Sequence, residues 1–394
     1  MGYIVELGEL FLAKNYKRER LAFVRGSGTR LFTEDGEEYL DFAAGIAVCN
    51  LGHAYPELLE VLQKQAKLLW HTSNLYYTAS QAKLAKKLVE LSFAEEVFFA
   101  NSGAEAVEAA LKLARRFAYE NWGANKNQFI ALENSFHGRT LGALSVTGQF
   151  KYWEGFEPLL PGIIFIPPND KKTLETHFNE NICAIIMEPI QGEGGIYVLE
   201  KEFIALAKEL CQKYNALLIF DEIQTGMGRT GKLFAYEHFG IEPDIMCIAK
   251  ALANGLPLSA MLAKKHIMNA FKPGTHASTF GGNPICCEVA LKVLEIISNP
   301  LFLKEVELKG KVLKEKIQQL SQKTSIIKEV RGLGLLIGIE FNIPAEKVYK
   351  KLLEKRILVT QPKPNVIRLS PPLIINYREI DFFINTLEEI LFSM

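Results

Sequence analysis

Residues 216–250, ALLIFDEIQTGMGRTGKLFAYEHFGIEPDIMCIAK, contain two short apolar runs that each end at a charged residue. Leu217–Phe220 is followed by Asp221, and Ile245–Ala249 is followed by Lys250. Short apolar runs bounded by polar residues are typical of buried strands in a parallel sheet. Open α/β sheets bind ligands at the carboxyl ends of their strands, so we expect this carboxylate and this amine to lie close together in a ligand site.

Similar apolar runs occur on both sides of this stretch and alternate with helical segments. Besides the two runs above, the predicted strands are Val97–Ala100, Phe129–Leu132, Ile163–Ile166, Cys183–Met187 and, as a further strand, Ser259–Ala263. In the segment Ala104–Glu120, apolar residues recur at helical spacing. This alternation predicts an α/β fold with a large, mostly parallel, doubly wound sheet.

The character of the chain changes near residues 55 and 285. Residues 28–42, GTRLFTEDGEEYLDF, predict a hairpin with Asp35-Gly36 at its turn. Apolar periodicity predicts helices at Pro56–Trp70, Ser80–Leu91, Pro284–Ile297, about 302–322, Ala345–Lys355 and Tyr377–Phe392, and strands near Ile326–Phe341, Ile357–Val359 and Val366–Leu369. We predict a large α/β domain (56–284), a smaller α+β domain (285–394), and an N-terminal segment (1–55) that packs with the smaller domain.

The composition indicates a globular chain without a charge bias. Of its 394 residues, 48% are hydrophobic and 23% are charged, and 45 basic side chains balance 45 acidic ones. We therefore expect no nucleic-acid partner and no binding to an anionic membrane. The start, MGYIVELGEL, lacks the features of a signal peptide, and no apolar run approaches the roughly 20 residues that cross a bilayer.

The cysteines indicate a reducing compartment. They number six, at positions 49, 183, 211, 247, 286 and 287, and none form a CxxC pair. Cys183 and Cys247 lie in predicted buried strands, where a thiol packs as a small apolar group. We expect a cytoplasmic protein, and we predict no metal site.

Polar residues follow several of the predicted strands and define one candidate site. They are Asn101 to Ala104, Ser135 to Arg139, Glu188 with Glu193, Asp221 with Gln224, and Lys250. Ser102-Gly103-Ala104 at a helix start predicts a phosphate cradle, because free N–H groups and the helix dipole attract an anion there. A simple N-cap serine is an equally weighted alternative.

Lys250 is the residue with the most specific chemistry. A lysine directly after a buried strand is partly desolvated, which lowers its pKa and frees an amine nucleophile. A surface lysine and a capping Asp221 are the alternative interpretation. Together with an anion cradle, the pair fits pyridoxal phosphate: the lysine would form the Schiff base and the aspartate would keep the pyridine nitrogen protonated.

The glycines at residues 226–231, GMGRTG, match two nucleotide-binding patterns only superficially. The GxGxxG match comes late in the chain and no clear helix opens on it. The P-loop match has Leu233 where a serine or threonine would bind magnesium. A nucleotide-binding module is therefore the disfavoured alternative.

Five motifs resemble those of the ornithine-type, class III aminotransferases, in the same order along essentially the whole chain. They are SGAEA (102–106), FHGRT (136–140), EPIQGEGG (188–195), DEIQTGMGRTG (221–231) and AKALANGLP (249–257). The resemblance implies a fold-type I homodimer with pyridoxal 5'-phosphate at the subunit interface. It is nearest to the branch that acts on N2-acetylornithine.

The resemblance assigns roles to individual residues. Lys250 is the Schiff-base lysine and proton shuttle, Asp221 pairs with the pyridinium nitrogen, and Phe136 stacks on the ring. Ser102, Gly103 and Ala104 bind the phosphate, Gln224 lies near the phenolic oxygen, Glu222 and Ile223 belong to the same cofactor-binding segment, and Thr279 reaches the phosphate from the partner subunit. His137 and Asn101 are supporting residues.

The same resemblance implies the substrate contacts. Arg139 holds the distal carboxylate, Arg368 meets the carboxylate beside the reacting carbonyl, and Glu193 covers Arg368 while the amine donor is bound. Ser278 and Tyr16 also lie near the substrate.

The expected reaction moves the δ-amino group of N2-acetylornithine to 2-oxoglutarate. Ile46, where ornithine aminotransferases carry a tyrosine, favours an acylated amine over free ornithine. The alternatives are transamination of succinyldiaminopimelate, ornithine or 4-aminobutyrate, and a mutase acting on glutamate semialdehyde.

Overall fold

The computed structural model describes residues 2–394. The N-terminal part comprises α1 (Tyr3–Phe11), β1 (Phe23–Ser27), β2 (Arg30–Thr33), β3 (Glu38–Asp41) and α2 (Ala44–Ala47). Strands β2 and β3 form the expected antiparallel hairpin, with Gly36 at the turn in the left-handed region (φ +85) that glycine adopts without strain. Among the described residues, no helix is long and apolar enough to cross a membrane.

The middle of the chain alternates strands and helices. Its elements are α3 (Pro56–Ala66), α4 (Ala79–Glu90), β4 (Glu96–Ala100), α5 (Gly103–Trp122), β5 (Gln128–Leu132), α6 (Leu141–Ser145), β6 (Ile163–Ile166), α7 (Lys171–His177), β7 (Ile182–Met187), β8 (Ile190–Gln191), β9 (Tyr197–Val198), α8 (Lys201–Lys213), β10 (Leu217–Asp221), α9 (Tyr236–Phe239), β11 (Ile245–Ile248), β12 (Ser259–Ala263) and α10 (Lys265–Met268). Two 3-10 helices lie at Phe150–Tyr152 and Lys250–Ala253.

A seven-stranded sheet in the order β4-β12-β11-β10-β7-β5-β6 organises this part. Every residue of β7, β10 and β11 is buried, as expected for strands covered on both faces. Strands β10 and β11 are parallel neighbours, with Asp221 opposite Cys247, so the chain leaves both strands at the same edge. The predicted fold class, α/β with a mostly parallel sheet, is confirmed.

Strand β12 runs antiparallel to both of its neighbours. A parallel strand would need a crossover of a dozen residues or more. The connection from β11 to β12, residues 249–258, is too short for that, so the chain turns back beside β11. This connection carries Lys250.

The C-terminal part contains α11 (Pro284–Ile297), α12 (Pro300–Ser321), β13 (Ile327–Leu333), β14 (Leu336–Phe341), α13 (Ala345–Glu354), β15 (Ile357–Leu358), β16 (Thr360–Lys363), β17 (Val366–Leu369) and α14 (Tyr377–Phe392). An antiparallel sheet in the order β13-β14-β17-β16 packs on its helices. Strand β15 pairs instead with β3 of the N-terminal part, Ile357 opposite Leu40. The domain boundaries given above remain a prediction.

Several predicted elements extend one or more residues beyond the observed ends, and two of these differences have a local cause. The helix that begins at Pro56 ends at Ala66 instead of Trp70, because the Trp70 side chain turns back and its Nε1 donates to the Ala66 carbonyl at 2.6 Å. Strand β11 ends at Ile248 because the next two residues leave the extended region, Lys250 with φ +45.

Candidate active site

A cavity of about 460 Å³ lies at the carboxyl edge of the large sheet. The loops after β4, β5, β7, β10 and β11 surround it, as the positions of the polar residues predicted. The predicted site residues that line it are Ser102, Gly103, Ala104, Phe136, Arg139, Glu193, Asp221, Ile223, Gln224 and Lys250. Residues from five separate segments therefore meet in one cavity.

Lys250 enters this cavity from the turn that follows β11. Its backbone lies in the left-handed region, φ +45, which is strained for a residue with a side chain. Burial lowers the pKa of its ammonium to about 8, and the nearby Arg368 charge acts in the same direction, while Glu193, Asp221 and Glu188 act against it. The Lys250 ammonium makes no hydrogen bond or ion pair among residues 2–394, so the amine is available to a ligand in the cavity.

Asp221 is held in place from two sides. One carboxylate oxygen lies 2.7 Å from Nδ1 of His137, and the other accepts the backbone N–H of Ile223 at 3.0 Å. Both side chains are almost completely buried. Nε2 of His137 has no partner within the described chain. His137 is thus a supporting residue that fixes the Asp221 carboxylate at the cavity wall.

The predicted anion cradle begins helix α5. Ser102 is its N-cap and forms a capping box with Glu105, so the capping interpretation is confirmed. The N–H groups of Gly103 and Ala104, at the first positions of the helix, stay free of backbone partners and line the cavity. A Cβ at Gly103 would approach the Ile223 side chain to 2.8 Å, so only glycine fits there.

Arg368 reaches the site from β17 of the C-terminal sheet. Its guanidinium contacts Glu193 at 2.5 Å, Gln224 at 3.3 Å and the Thr360 hydroxyl at 3.0 Å. The Arg368 side chain is 2% exposed and that of Glu193 is 24% exposed. Burial opposes ionisation of Glu193, but the Arg368 charge prevails and lowers the pKa of that carboxyl.

Glu188 is a buried residue of the site for which no role was predicted. It accepts the backbone N–H groups of Phe136 and Gly192 and so joins the loops after β5 and β7. Burial raises its pKa to about 7. Its position after a predicted strand indicated that it lies at the site, but only the structure shows that its carboxyl joins two loops.

Arg139 lies at the open side of the cavity. It is exposed, and its guanidinium stacks over the Tyr152 ring at 3.7 Å from the centroid and over Phe136 at 5.5 Å. This stacking directs a planar cation toward incoming ligand without occupying its hydrogen-bond donors.

Glu222, although next to Asp221, directs its carboxylate away from the cavity. It accepts from the backbone of Ala235 and Tyr236 and from Thr225. Strand alternation explains this, since adjacent side chains point to opposite faces.

Besides Arg368 and Glu222, four of the predicted residues are not part of the lining of this cavity within the single chain. Thr279 is exposed, and Ser278 lies beside Asn101, whose Nδ2 is 3.3 Å from its hydroxyl. Tyr16 is 68% exposed and lies near α1. Ile46 is exposed as well, and Val48 is the residue of its segment that lines the cavity. The sequence had no signal for Val48, because the irregular segment 44–48 gives no periodicity from which to assign a face.

Known proteins match this chain over nearly its full length. A family model described as aminotransferase class-III matches residues 11–391. The acetylornithine aminotransferase of Caldanaerobacter subterraneus subsp. tengcongensis is 46% identical over 382 residues, which cover 97% of each chain.

Two solved structures show the same fold. The ornithine aminotransferase from Toxoplasma gondii ME49 has a TM-score of 0.95 and 34% identity, covering 99% of this chain and 94% of that chain. The acetylornithine aminotransferase from Elizabethkingia anophelis has a TM-score of 0.88 and 36% identity, covering 100% and 99%. Enzymes named for two different amines thus share this fold, so the choice of amine depends on individual side chains.

Proposed function

This chain belongs to the class-III aminotransferases, fold-type I enzymes that use pyridoxal 5'-phosphate, and we propose that it transfers the δ-amino group of N2-acetylornithine to 2-oxoglutarate. The products are N-acetylglutamate 5-semialdehyde and glutamate, a step of arginine biosynthesis. The observation that carries the proposal is that Lys250 and Glu193 line one cavity and that Glu193 is paired there with Arg368 of the C-terminal sheet. The relative at 46% identity, named for acetylornithine, supports the choice of amine.

The residues of the cavity fit the cofactor. The free N–H groups at the start of α5 suit a phosphate, and the buried Asp221 suits a protonated ring nitrogen. Gly138 completes the fit, because a Cβ there would come within 2.8 Å of Ala104 in the cradle. When bound, pyridoxal 5'-phosphate supplies an aldehyde that bonds to amines and a ring that withdraws electrons from the reacting carbon.

Each side chain then has a defined task. The Lys250 amine, with its pKa lowered to about 8 by burial, would hold the cofactor and move a proton through Nζ between the two carbon atoms that flank the transferred nitrogen. Asp221, oriented by His137, would keep the ring nitrogen protonated. Ser102, Gly103 and Ala104 would hold the phosphate, and Phe136, Ile223 and Gln224 would hold the ring.

The two arginines bind the substrates by charge. Arg368 receives the carboxylate next to the reacting carbonyl of 2-oxoglutarate, and Arg139 receives the distal carboxylate at the open side of the cavity. Acetylornithine places its δ-amine at Lys250, far from its own carboxylate, so Arg368 has no anionic partner in that half of the reaction. Glu193, 2.5 Å from Arg368, neutralises it there.

We propose a homodimer in which each subunit completes the site of the other. Hydrogen bonds from Asn74 to the carbonyls of Ser278 and Gly281, at 2.9 and 3.0 Å, hold the Thr279 loop rigid while Thr279 faces outward. This exposed position supports a role for Thr279 at the phosphate of a second subunit, and we propose that Ser278 and Tyr16 contact the substrate there. A cytoplasmic location fits the six free thiols, five of them buried.

The test is a comparison of initial rates for different amine donors. The purified enzyme with 2-oxoglutarate is expected to turn over N2-acetylornithine faster than ornithine, succinyldiaminopimelate or 4-aminobutyrate. A preference for free ornithine would refute the proposed substrate. Conversion of glutamate semialdehyde without any oxo acid would indicate the mutase instead.

A further inference from the structure

Hydrogen bonds hold the backbone of the Glu193 loop, residues 188–198, whereas the Glu193 side chain is partly exposed. Arg331 Nε donates to the Gly195 carbonyl at 2.8 Å, and the Ile196 N–H donates to Gln191 at 2.9 Å. Gly192, Gly194 and Gly195 are buried, whereas Glu193 keeps some exposure. Any release of Arg368 is therefore a rotation of the Glu193 side chain, which keeps its carboxylate within one side-chain length of the loop.

A second cation lies on the strand next to Arg368. Lys363 ends β16, which pairs antiparallel with β17, and its Cγ is 3.6 Å from the position that a Cβ would take on Gly195. Lys363 thus lies against the backbone two residues beyond Glu193. Arg368 and Lys363 therefore lie on adjacent strands beside the loop that carries Glu193.

The ammonium group of Lys363 has no anionic partner. Its Nζ donates to the neutral amide of Asn134 at 3.1 Å, and among residues 2–394 no carboxylate lies within ion-pair distance of it. Lys363 is half-buried, and burial and the charge of Lys151 lower its pKa, while Glu193 and Glu188 act in the opposite direction. A partly desolvated ammonium with unused donors favours a nearby carboxylate.

Building on the proposed transamination, we propose that Lys363 receives the Glu193 carboxylate when 2-oxoglutarate takes its place on Arg368. The Glu193 side chain then alternates between two cations: Arg368 while the amine donor is bound and Lys363 while the oxo acid is bound. Lys363 thereby sets the affinity for the dicarboxylate, because a ligand can shift this equilibrium only by the difference in free energy between the two positions.

Lys250 and Lys151 are the other cations that lower the pKa of Glu193, and Lys250 is taken up by the cofactor in the loaded enzyme. Lys151 is exposed and lies over the Tyr152 ring, 4.8 Å from its centroid. Solvent and salt screen such a charge more strongly than a half-buried one. The structure therefore favours Lys363 as the partner.

The experiment measures glutarate binding to the cofactor-loaded enzyme by calorimetry, since glutarate lacks the reacting carbonyl. Lys363→Met should weaken binding roughly three- to fivefold, the scale of one partly exposed ion pair. The KM for 2-oxoglutarate should rise by the same factor, with that for acetylornithine unchanged. Lys363→Arg and the exposed control Lys347→Met should bind as the wild type does.

A Glu193→Gln background separates the possible roles. There the Lys363→Met change should have no effect, because the carboxylate that Lys363 receives is gone. A persisting loss would mean that Lys363 contacts the dicarboxylate itself, and an equal rise of both KM values would mean a structural role. A loss seen in Lys151→Met but absent in Lys363→Met would move the role to Lys151. Each of these last three results would overturn the proposal for Lys363. A wild-type enzyme that is inactive on acetylornithine would refute only the proposed function.

Discussion

Lys250 and Arg229 are two buried cations of the same stretch, residues 216–250, with opposite surroundings. Burial lowers the pKa of both, that of Lys250 to about 8 and that of Arg229 to about 9. The Arg229 guanidinium is surrounded by protein and donates to the carbonyls of Leu335 and Pro371 and to the Asn50 amide. Lys250 faces a cavity and has no such partner among the residues described.

The difference shows why the glycine motif of this stretch is not a nucleotide site. Gly228 and Gly231 adopt φ +81 and +88, and a Cβ on Gly231 would come within 2.9 Å of Glu307. These glycines let the loop turn sharply and approach the C-terminal helices, where Arg229 joins three parts of the chain. A buried cation whose donors are satisfied by protein acceptors stabilises the fold. A buried cation that faces a cavity without such acceptors can react with a ligand.

The largest expected effect is the loss of activity in Lys250→Ala. Transamination should fall by at least about 10³-fold, because the amine that binds the cofactor and moves the proton is removed. Mass spectrometry after borohydride reduction should find the cofactor on the peptide containing Lys250, and on no peptide of the variant. The exposed control Lys232→Ala should keep its activity within about twofold. Unchanged turnover in Lys250→Ala would show that Lys250, like Arg229, takes no part in the reaction.

Arg229→Lys should do the reverse and cost stability without changing the chemistry. Lysine cannot satisfy three acceptors placed around a guanidinium fork, so the free energy of unfolding should fall by about 2–4 kcal/mol. Urea denaturation at fixed protein concentration measures this. The exposed pair of Arg356 with Glu37 provides the control Arg356→Lys, expected to cost less than about 1 kcal/mol. A large loss of kcat in folded Arg229→Lys would show that the loop belongs to the site.

The smallest expected effect is a pH dependence in the cofactor-free enzyme. The pKa of Lys250 falls from 10.5 to about 8 on folding, so between these values the unfolded state binds more protons and stability rises with pH. The gain across this window is at most about 3 kcal/mol. It should be present in the wild type and missing from Lys250→Met when both are unfolded in urea between pH 7.5 and 10. Equal slopes in the two proteins would contradict the lowered pKa.

The strands and the residues after them could be predicted because both depend on local patterns. Apolar runs such as Leu217–Phe220 mark buried strands wherever they occur, and parallel strands bring their ends to one edge. The positions of Asp221, Lys250 and the start of α5 at the cavity followed from that rule. The function followed from motifs whose order and spacing resemble those of a known family.

Contacts between distant segments had no local signal, and only the tertiary structure shows them. The pairing of Arg368 with Glu193 and the position of Lys363 beside Gly195 depend on how the C-terminal sheet packs on the large one. The Glu188 carboxyl joins two loops of the large sheet that are far apart in the sequence. The burial that lowers the pKa of Lys250 to about 8 depends on the same packing. Side-chain periodicity reports which face of an element is buried, but the partner across an interface is determined by long-range packing.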